Sequence, residues 1–371
     1  MDHKIFKPVS MKKLTEDMVF PCDIYGDPNG KILILKKDNI LTAARLEQLN
    51  RHHDIRHGLF VAEENVQLMI DYMRGYDIGE KGEKYYSADN HRRQKLEKET
   101  GFAAIKELSQ DLFKEDSGTT IVQQDKTLNV SAELAHRLET TSPDLILSIV
   151  NMLVPEDEYL QQHIINVSTL NGIMGKWLGF SRKDVTLLIL VGLLHDCGKN
   201  IIPPNVLNAP RAVSRVEFEV IKLHPLYGYN LLDGFPEIIR NGVRSHHEKI
   251  NGKGYPDGLA MDKVPMLARI TAVSDIYDAM VSRRIYKSPI SPFHVMAMLN
   301  NLKGEELDPF FVDTLTSCMP KEMIGKSVLM SDGTTGIVDS VDPDDLEFPY
   351  IRIGDQTIKT DSQLYCLSME I

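Results

Sequence analysis

The stretch His246-His247-Glu248-Lys249-Ile250-Asn251-Gly252-Lys253-Gly254-Tyr255-Pro256, with His195-Asp196-Cys197-Gly198-Lys199 upstream of it, decides how this chain is understood. Adjacent histidines, a histidine–aspartate dipeptide and a Gly-Tyr-Pro turn are what a multi-metal hydrolytic centre needs. Five of the twelve histidines, His163, His195, His224, His246 and His247, fall between residues 163 and 247, accompanied by Asp196 and Asp275. Neutral imidazole with carboxylate suits a divalent transition metal such as iron, manganese, nickel or zinc, and the absence of cysteine partners argues against a structural zinc. Each residue alone has a plainer reading. His163 shares a helical stripe with Val167, Leu170 and Met174 and could be a satisfied core histidine. His224, before Pro225, could be a helix-end residue held by the dipole. Gly252, Gly254 and Gly258 around Tyr255-Pro256 could form an ordinary surface turn. Their joint occurrence is what favours a site.

Composition frames that reading. A chain of 371 residues with 42% hydrophobic content can bury two or more cores, so two to four domains are expected. A net charge of -11 argues against coating nucleic acid or an anionic membrane, both of which need a basic face. An anionic ligand must then be drawn in by local cations. Cys22, Cys197, Cys318 and Cys366 are far apart and suggest neither a zinc ribbon nor a disulfide framework, which fits a reducing compartment. The apolar run Val185 to Leu194 is about half of the roughly 20 residues that cross a bilayer, and Met1 to Ser10 lacks the apolar core of a secretion signal. A cytoplasmic protein with no membrane span is expected.

Along the chain, the pattern is α+β and multidomain: an all-α catalytic core flanked by a small strand-rich amino-terminal segment and a small carboxy-terminal β module. Residues 1–63 form the strand-rich segment, with a turn at Tyr25 to Gly30, a strand at Lys31 to Leu35 and a short helix near Thr42 to His52. Residues 64–145 form a charged helical connection, exposed around Gly79 to Thr100. Residues 146–320 form the helical domain and 321–371 the β module. Within the helical domain, Ser181 with Asp184 opens a helix reaching Lys199, Ser214 with Glu217 opens one ending near His224, and Ser291-Pro292 opens a third. Residues four apart share a helix face, which would point His195 and Lys199 together. Downstream, Arg283-Arg284-Ile285-Tyr286-Lys287 is a cationic cluster that could pair with phosphate.

These residues resemble the HD-GYP phosphodiesterases, a branch of the HD-domain metal-dependent phosphohydrolases. The resemblance runs from roughly Pro155 to Cys318 and rests on His163, Leu193-Leu194-His195-Asp196-Cys197-Gly198-Lys199, Ile201-Ile202-Pro203, His224-Pro225, His246-His247-Glu248, Gly252-Lys253-Gly254-Tyr255-Pro256, Asp275 and Arg284-Ile285-Tyr286-Lys287. It implies a compact helical core that hydrolyses cyclic di-GMP, a bacterial second messenger, with metals, usually iron or manganese, held by His163, His195, Asp196, His224, His246, His247 and Asp275. It further implies that Asp196 bridges metals, that Lys199 contacts the phosphate or the nucleophile, and that Tyr255, Arg284 and Lys287 help hold the nucleotide. Members with three metals carry a glutamate four residues before the first histidine. Here that place is Tyr159, and Glu158 is turned about 100° away on a helix, so two metals are expected.

In such a centre two cations about 3.5–4 Å apart activate a water and neutralise the phosphodiester during in-line attack. Opening one phosphodiester gives the linear dinucleotide pGpG, and slower cleavage to GMP requires that product to rebind. A non-hydrolytic cyclic di-GMP receptor and a phosphohydrolase for another substrate, such as cyclic GMP-AMP or ppGpp, are the alternatives. A homodimer or a signalling protein are the macromolecular partners considered.

Overall fold

The computed structural model describes residues 6–9, 23–25, 33–35, 59–62, 94–109, 112–116, 119–151, 159–207, 213–281 and 290–370. The chain divides into two compact units, one built mainly of residues 1–85 and the other mainly of residues 86–371.

In the first unit β1 (Phe6–Val9), β2 (Ile24–Tyr25), β3 (Leu33–Leu35) and β4 (Leu59–Ala62) form an antiparallel sheet in the order β1-β4-β2-β3. Ile24 and Val61 are fully buried in it. The helix expected at Thr42 to His52 and the turn after Tyr25 lie outside the described residues.

The second unit opens with a helical segment at 94–100, then α1 (Phe102–Ser109), the hairpin β5 (Phe113–Asp116) and β6 (Thr119–Val122), and α2 (Gln124–Thr140). Residues 94–100 were expected to be exposed connection. They are helical and bury Leu96 and Thr100, and Phe102, Ile105, Val130, Leu134 and Leu138 enter the same apolar cluster as the helices that follow. Hydrophobic residues spaced along a charged stretch pay for that packing with roughly 1.5–3 kcal/mol for each fully buried large side chain.

Next come α3 (Pro143–Val150), α4 (Tyr159–Trp177) and α5 (Arg182–Leu194). Ser181 caps α5 by accepting a hydrogen bond from the Asp184 amide at 3.3 Å, and Val185 and Leu188 to Leu194 are buried. This helix does not continue to Lys199 as the sequence suggested. It stops at Leu194, Asp196 turns at φ -99 and ψ 4, and a separate 3-10 turn covers Cys197–Ile201. Gly198 lets that turn pack closely against the next helices. A Cβ there would overlap the His224 carbonyl and stand 2.5 Å from the Gly228 amide, so this turn lies directly against the next helices and only glycine fits. His195 and Lys199 therefore do not share a helix face.

After α6 (Pro204–Leu207), α7 (Arg215–Ile221) starts with both halves of the Ser214–Glu217 capping box. It ends before His224, which opens α8 (His224–Leu231) instead of closing α7; the dipole reading of His224 fails because that residue sits at a helix amino end. Then follow α9 (Glu237–Ser245), α10 (Met266–Val281), α11 (Pro292–Leu302) and α12 (Pro309–Met323), with Pro292 and Pro309 in first turns, where a missing amide proton costs nothing.

The carboxy-terminal strands β7 (Ser327–Met330), β8 (Thr335–Asp342), β9 (Asp345–Ile353), β10 (Gln356–Lys359) and β11 (Cys366–Glu370) form an antiparallel sheet in the order β10-β9-β8-β7-β11. Its inner residues Val328, Met330, Val338, Ile351 and Met369 join the apolar cluster of the helices. His294 on α11 meets Glu347 on β9 at 2.8 Å, and Lys326 pairs with Asp144 on α3. The architecture is α+β: a helical core with a sheet packed on its side. Among the described residues no helix is long and apolar enough to cross a membrane.

Candidate metal centre

Five segments of the helical core converge on one spot. His163 comes from α4, His195 and Asp196 from the end of α5, His224 from the start of α8, His246 and His247 from the end of α9, and Asp275 from α10. Their donor atoms fall into two groups, Asp196 with His224, His246 and His247, and His163 with His195 and Asp275, each contained within 4.8 Å. The Asp196 carboxylate lies between them. Its Oδ1 is 3.2 Å from His224 Nε2, while its Oδ2 is 3.3 Å from His195 Nε2 and 3.7 Å from His163 Nε2.

Hydrogen bonding on the far side of each ring sets what the near side can do. His195 Nδ1 donates to the Gly192 carbonyl at 2.7 Å, His224 Nδ1 to Ile221 O at 2.8 Å and His246 Nδ1 to Val243 O at 2.6 Å. A carbonyl can only accept, so each Nδ1 carries the proton, and in the neutral ring Nε2 is an acceptor. Yet His224 Nε2 and His246 Nε2 face each other at 3.3 Å, and the buried Asp196 Oδ1 between them has no hydrogen-bond donor. Buried lone pairs aimed at one another are costly unless a cation sits among them. Nitrogen and oxygen donors of this kind fit divalent transition metals.

At His246 and His247 the charges agree with that chemistry. Burial, reinforced by the neighbouring His247, His195 and His224, holds His246 well below the ordinary histidine value, and burial takes His247 down to about 3, so both are neutral donors at neutral pH. His163 goes the other way: burial lowers it, but hydrogen bonds to Asp275 and Asp278 outweigh burial and raise it to about 9. Burial also pushes Asp196 up, yet the Lys199 ammonium, 2.5 Å away, holds it well below the usual carboxylate range. Asp275 is held low against burial by His163.

The Gly-Tyr-Pro loop forms one wall. Tyr255 stacks on His247 with ring centroids 4.7 Å apart, its amide donates to His247 O at 3.2 Å, and burial raises its phenol. A Cβ at Gly254 would lie 2.6 Å from His247 O, so the loop runs flush against the histidine segment. Glu248, 4% exposed, holds it there, accepting from the amides of Asp257 at 2.7 Å and Leu259 at 2.9 Å. Arg244 adds a two-pronged pair to Asp257, both contacts at 2.7 Å. Lys222 stands 5.5 Å from the Tyr255 ring centroid and pairs with Glu219.

The structure thus brings His163, His195, Asp196, Lys199, His224, His246, His247, Tyr255 and Asp275 together. Arg284 and Lys287 lie outside the described residues, as does Glu158; Tyr159 opens α4, one turn before His163. Sequence reasoning gave Glu248 no role and did not single out Lys222 or Asp278. The carboxylate three residues past Asp275, on the same helix face, was the available signal for Asp278; nothing in the sequence marked Lys222.

Residues 146–310 match the family model described as HD domain. The cyclic di-GMP phosphodiesterase response regulator RpfG of Xanthomonas campestris pv. campestris is 38% identical over 153 residues, covering 40% of this chain and 40% of that protein. The cyclic di-GMP phosphodiesterase PA4108 of Pseudomonas aeruginosa is 32% identical over 199 residues, covering 53% and 48%. The 3'3'-cGAMP-specific phosphodiesterase 2 of Vibrio cholerae is 28% identical over 182 residues, covering 48% and 35%. In each case the match spans less than half the length of the relative.

Proposed function

We propose that this chain is a metal-dependent phosphodiesterase of the HD-GYP kind, as its match to the HD domain model and its similarity to cyclic di-GMP phosphodiesterases suggest, and that it opens cyclic di-GMP to the linear dinucleotide pGpG, with slower conversion to GMP. The observation that carries the reading is the ring of inward Nε2 atoms around the donor-less Asp196 Oδ1, beside a loop that offers an aromatic wall.

His163, His195 and Asp275 would hold one divalent cation and His224, His246 and His247 a second, with Asp196 shared between them; iron or manganese suits this donor set. When bound, such a pair supplies charge for the phosphodiester and an activated water. The chain's own residues do the rest. Lys199, tied to Asp196, places an ammonium at the edge of the centre, where it can meet a phosphate oxygen without being a ligand. Tyr255, stiffened by its stack on His247, offers a ring edge to a base or ribose. Arg284 and Lys287 are proposed nucleotide contacts on the resemblance alone.

A cyclic GMP-AMP substrate is the second reading, favoured by the similarity to the Vibrio cholerae enzyme. Incubating protein loaded anaerobically with ferrous iron or with manganese with each cyclic dinucleotide tests both. Linear product from cyclic di-GMP supports the first reading, faster turnover of cyclic GMP-AMP the second, and binding without turnover of either would make the chain a receptor.

A further inference from the structure

The histidines of the centre are not equally supported. His195, His224 and His246 each donate Nδ1–H to a backbone carbonyl three residues earlier. His163 instead meets a carboxylate, with Nδ1 2.6 Å from Asp278 Oδ2. Asp278 is fully buried on α10, one turn beyond Asp275, so the two carboxylates address opposite nitrogens of one ring: Asp275 Oδ1 is 3.2 Å from Nε2. The other oxygen of Asp278 accepts from Asn166 Nδ2 at 2.7 Å, and Asn166 Oδ1 accepts from Gln162 Nε2 at 2.8 Å. Gln162, His163 and Asn166 share one face of α4, and all are at most 3% exposed. A buried polar chain crosses from α4 to α10 and ends on His163.

We propose that Asp278, held by Asn166, is a positioning residue that makes the His163 half of the centre the more strongly donating of two inequivalent metal positions. A carboxylate accepting Nδ1–H fixes the ring with Nε2 toward the metal and pushes electron density into it more than a neutral carbonyl does. In the other half His224 and His246 rest on backbone carbonyls and lack that push. The inference rests on the two-metal reading above and adds an order of loading: the His163, His195 and Asp275 position fills first and empties last.

The test is metal binding by the full-length chain, independent of turnover. Apo protein is titrated with manganese, with metal content measured after dialysis against graded chelator and electron paramagnetic resonance recorded at each step. For the wild type we expect two unequal affinities. In Asp278→Asn the tighter affinity should weaken about 10–100-fold while the weaker one stays, and the coupled two-manganese signal should give way to that of an isolated ion at ratios where the wild type is fully loaded. Asn166→Ala, which leaves the carboxylate in place, should shift the same affinity in the same direction by less, and decides the matter if Asp278→Asn does not fold. Unchanged affinities in folded variants, or equal weakening of both positions, would overturn the inference while leaving the two-metal reading intact. A wild type that binds no metal would overturn both.

Discussion

Glu248 offers the sharpest perturbation, because its side chain is neither a proposed metal ligand nor a proposed substrate contact. Both carboxylate oxygens are occupied by loop amides, Asp257 N at 2.7 Å and Leu259 N at 2.9 Å, in a site only 4% exposed. Hydrogen bonds to a charged acceptor contribute about 1.5–3 kcal/mol each. Glu248→Gln keeps one acceptor oxygen and turns an NH2 group toward the other amide, so about 2–3 kcal/mol of loop docking is lost. At 1.4 kcal/mol per tenfold, that is roughly a 30- to 150-fold rise in the open loop. Hydrogen exchange followed by mass spectrometry should report this rise in peptides covering 252–260, with metal content unchanged and kcat/KM for the cyclic dinucleotide reduced about tenfold or more. Exchange in 252–260 that matches the wild type would refute the clamp. So would a loss of metal as large as that of a ligand variant, since Glu248 would then be supporting His246 and His247 directly.

Further outcomes follow from the same geometry. Asp196→Asn should strip both cations and abolish hydrolysis with the helical circular dichroism retained, whereas His195→Ala should deplete mainly its own position; normal metal content in either would contradict the shared-carboxylate arrangement. Lys199→Ala should keep the metals and lose rate, read by metal analysis beside kcat. Gly198→Ala forces a Cβ onto the His224 carbonyl and should cost about 1–3 kcal/mol or more in stability by urea denaturation, with metal lost as His224 is displaced. Asp257 is held below its ordinary value of 3.8 by its hydrogen bonds to Arg244. A lowered folded-state pKa gives stability that is present above the unfolded value and lost as pH falls through the folded one. The difference in Tm between wild type and Asp257→Asn should therefore be flat from about pH 5 to 8 and shrink below about pH 4. The corresponding stability difference should also be small, about 0.5–1 kcal/mol, because both partners are partly exposed.

The helical core and the sheet at its side were legible in the sequence because their signals are local. Ser214 with Glu217, Ser291 before Pro292, and the turns at Asp332-Gly333 and Asp342 to Asp345 mark element ends directly. The seven metal-ligand candidates stood out in the sequence only as a set, and the resemblance assigned them as ligands. What stayed hidden depends on contacts between distant segments. Periodicity carried the α5 pattern through to Lys199, because the backbone of α8 that Gly198 must clear is 26 residues away at His224. Asp278 looked like any polar residue on α10 until α4 placed His163 and Asn166 opposite it. Glu248 was quoted in the motif but given no task, since its partners are main-chain amides that carry no sequence signature. Residues 64–145 looked like a connection because charge outweighed their sparse apolar positions, of which Leu96, Phe102, Ile105, Val130, Leu134 and Leu138 nevertheless enter the core.

The most direct test of the central claim is a product time course with cyclic di-GMP, using protein purified anaerobically and loaded with ferrous iron or manganese to a measured stoichiometry. Two metals per chain and accumulation of pGpG ahead of any GMP are the predicted result. Intact cyclic di-GMP after prolonged incubation with protein that holds two metals would contradict it.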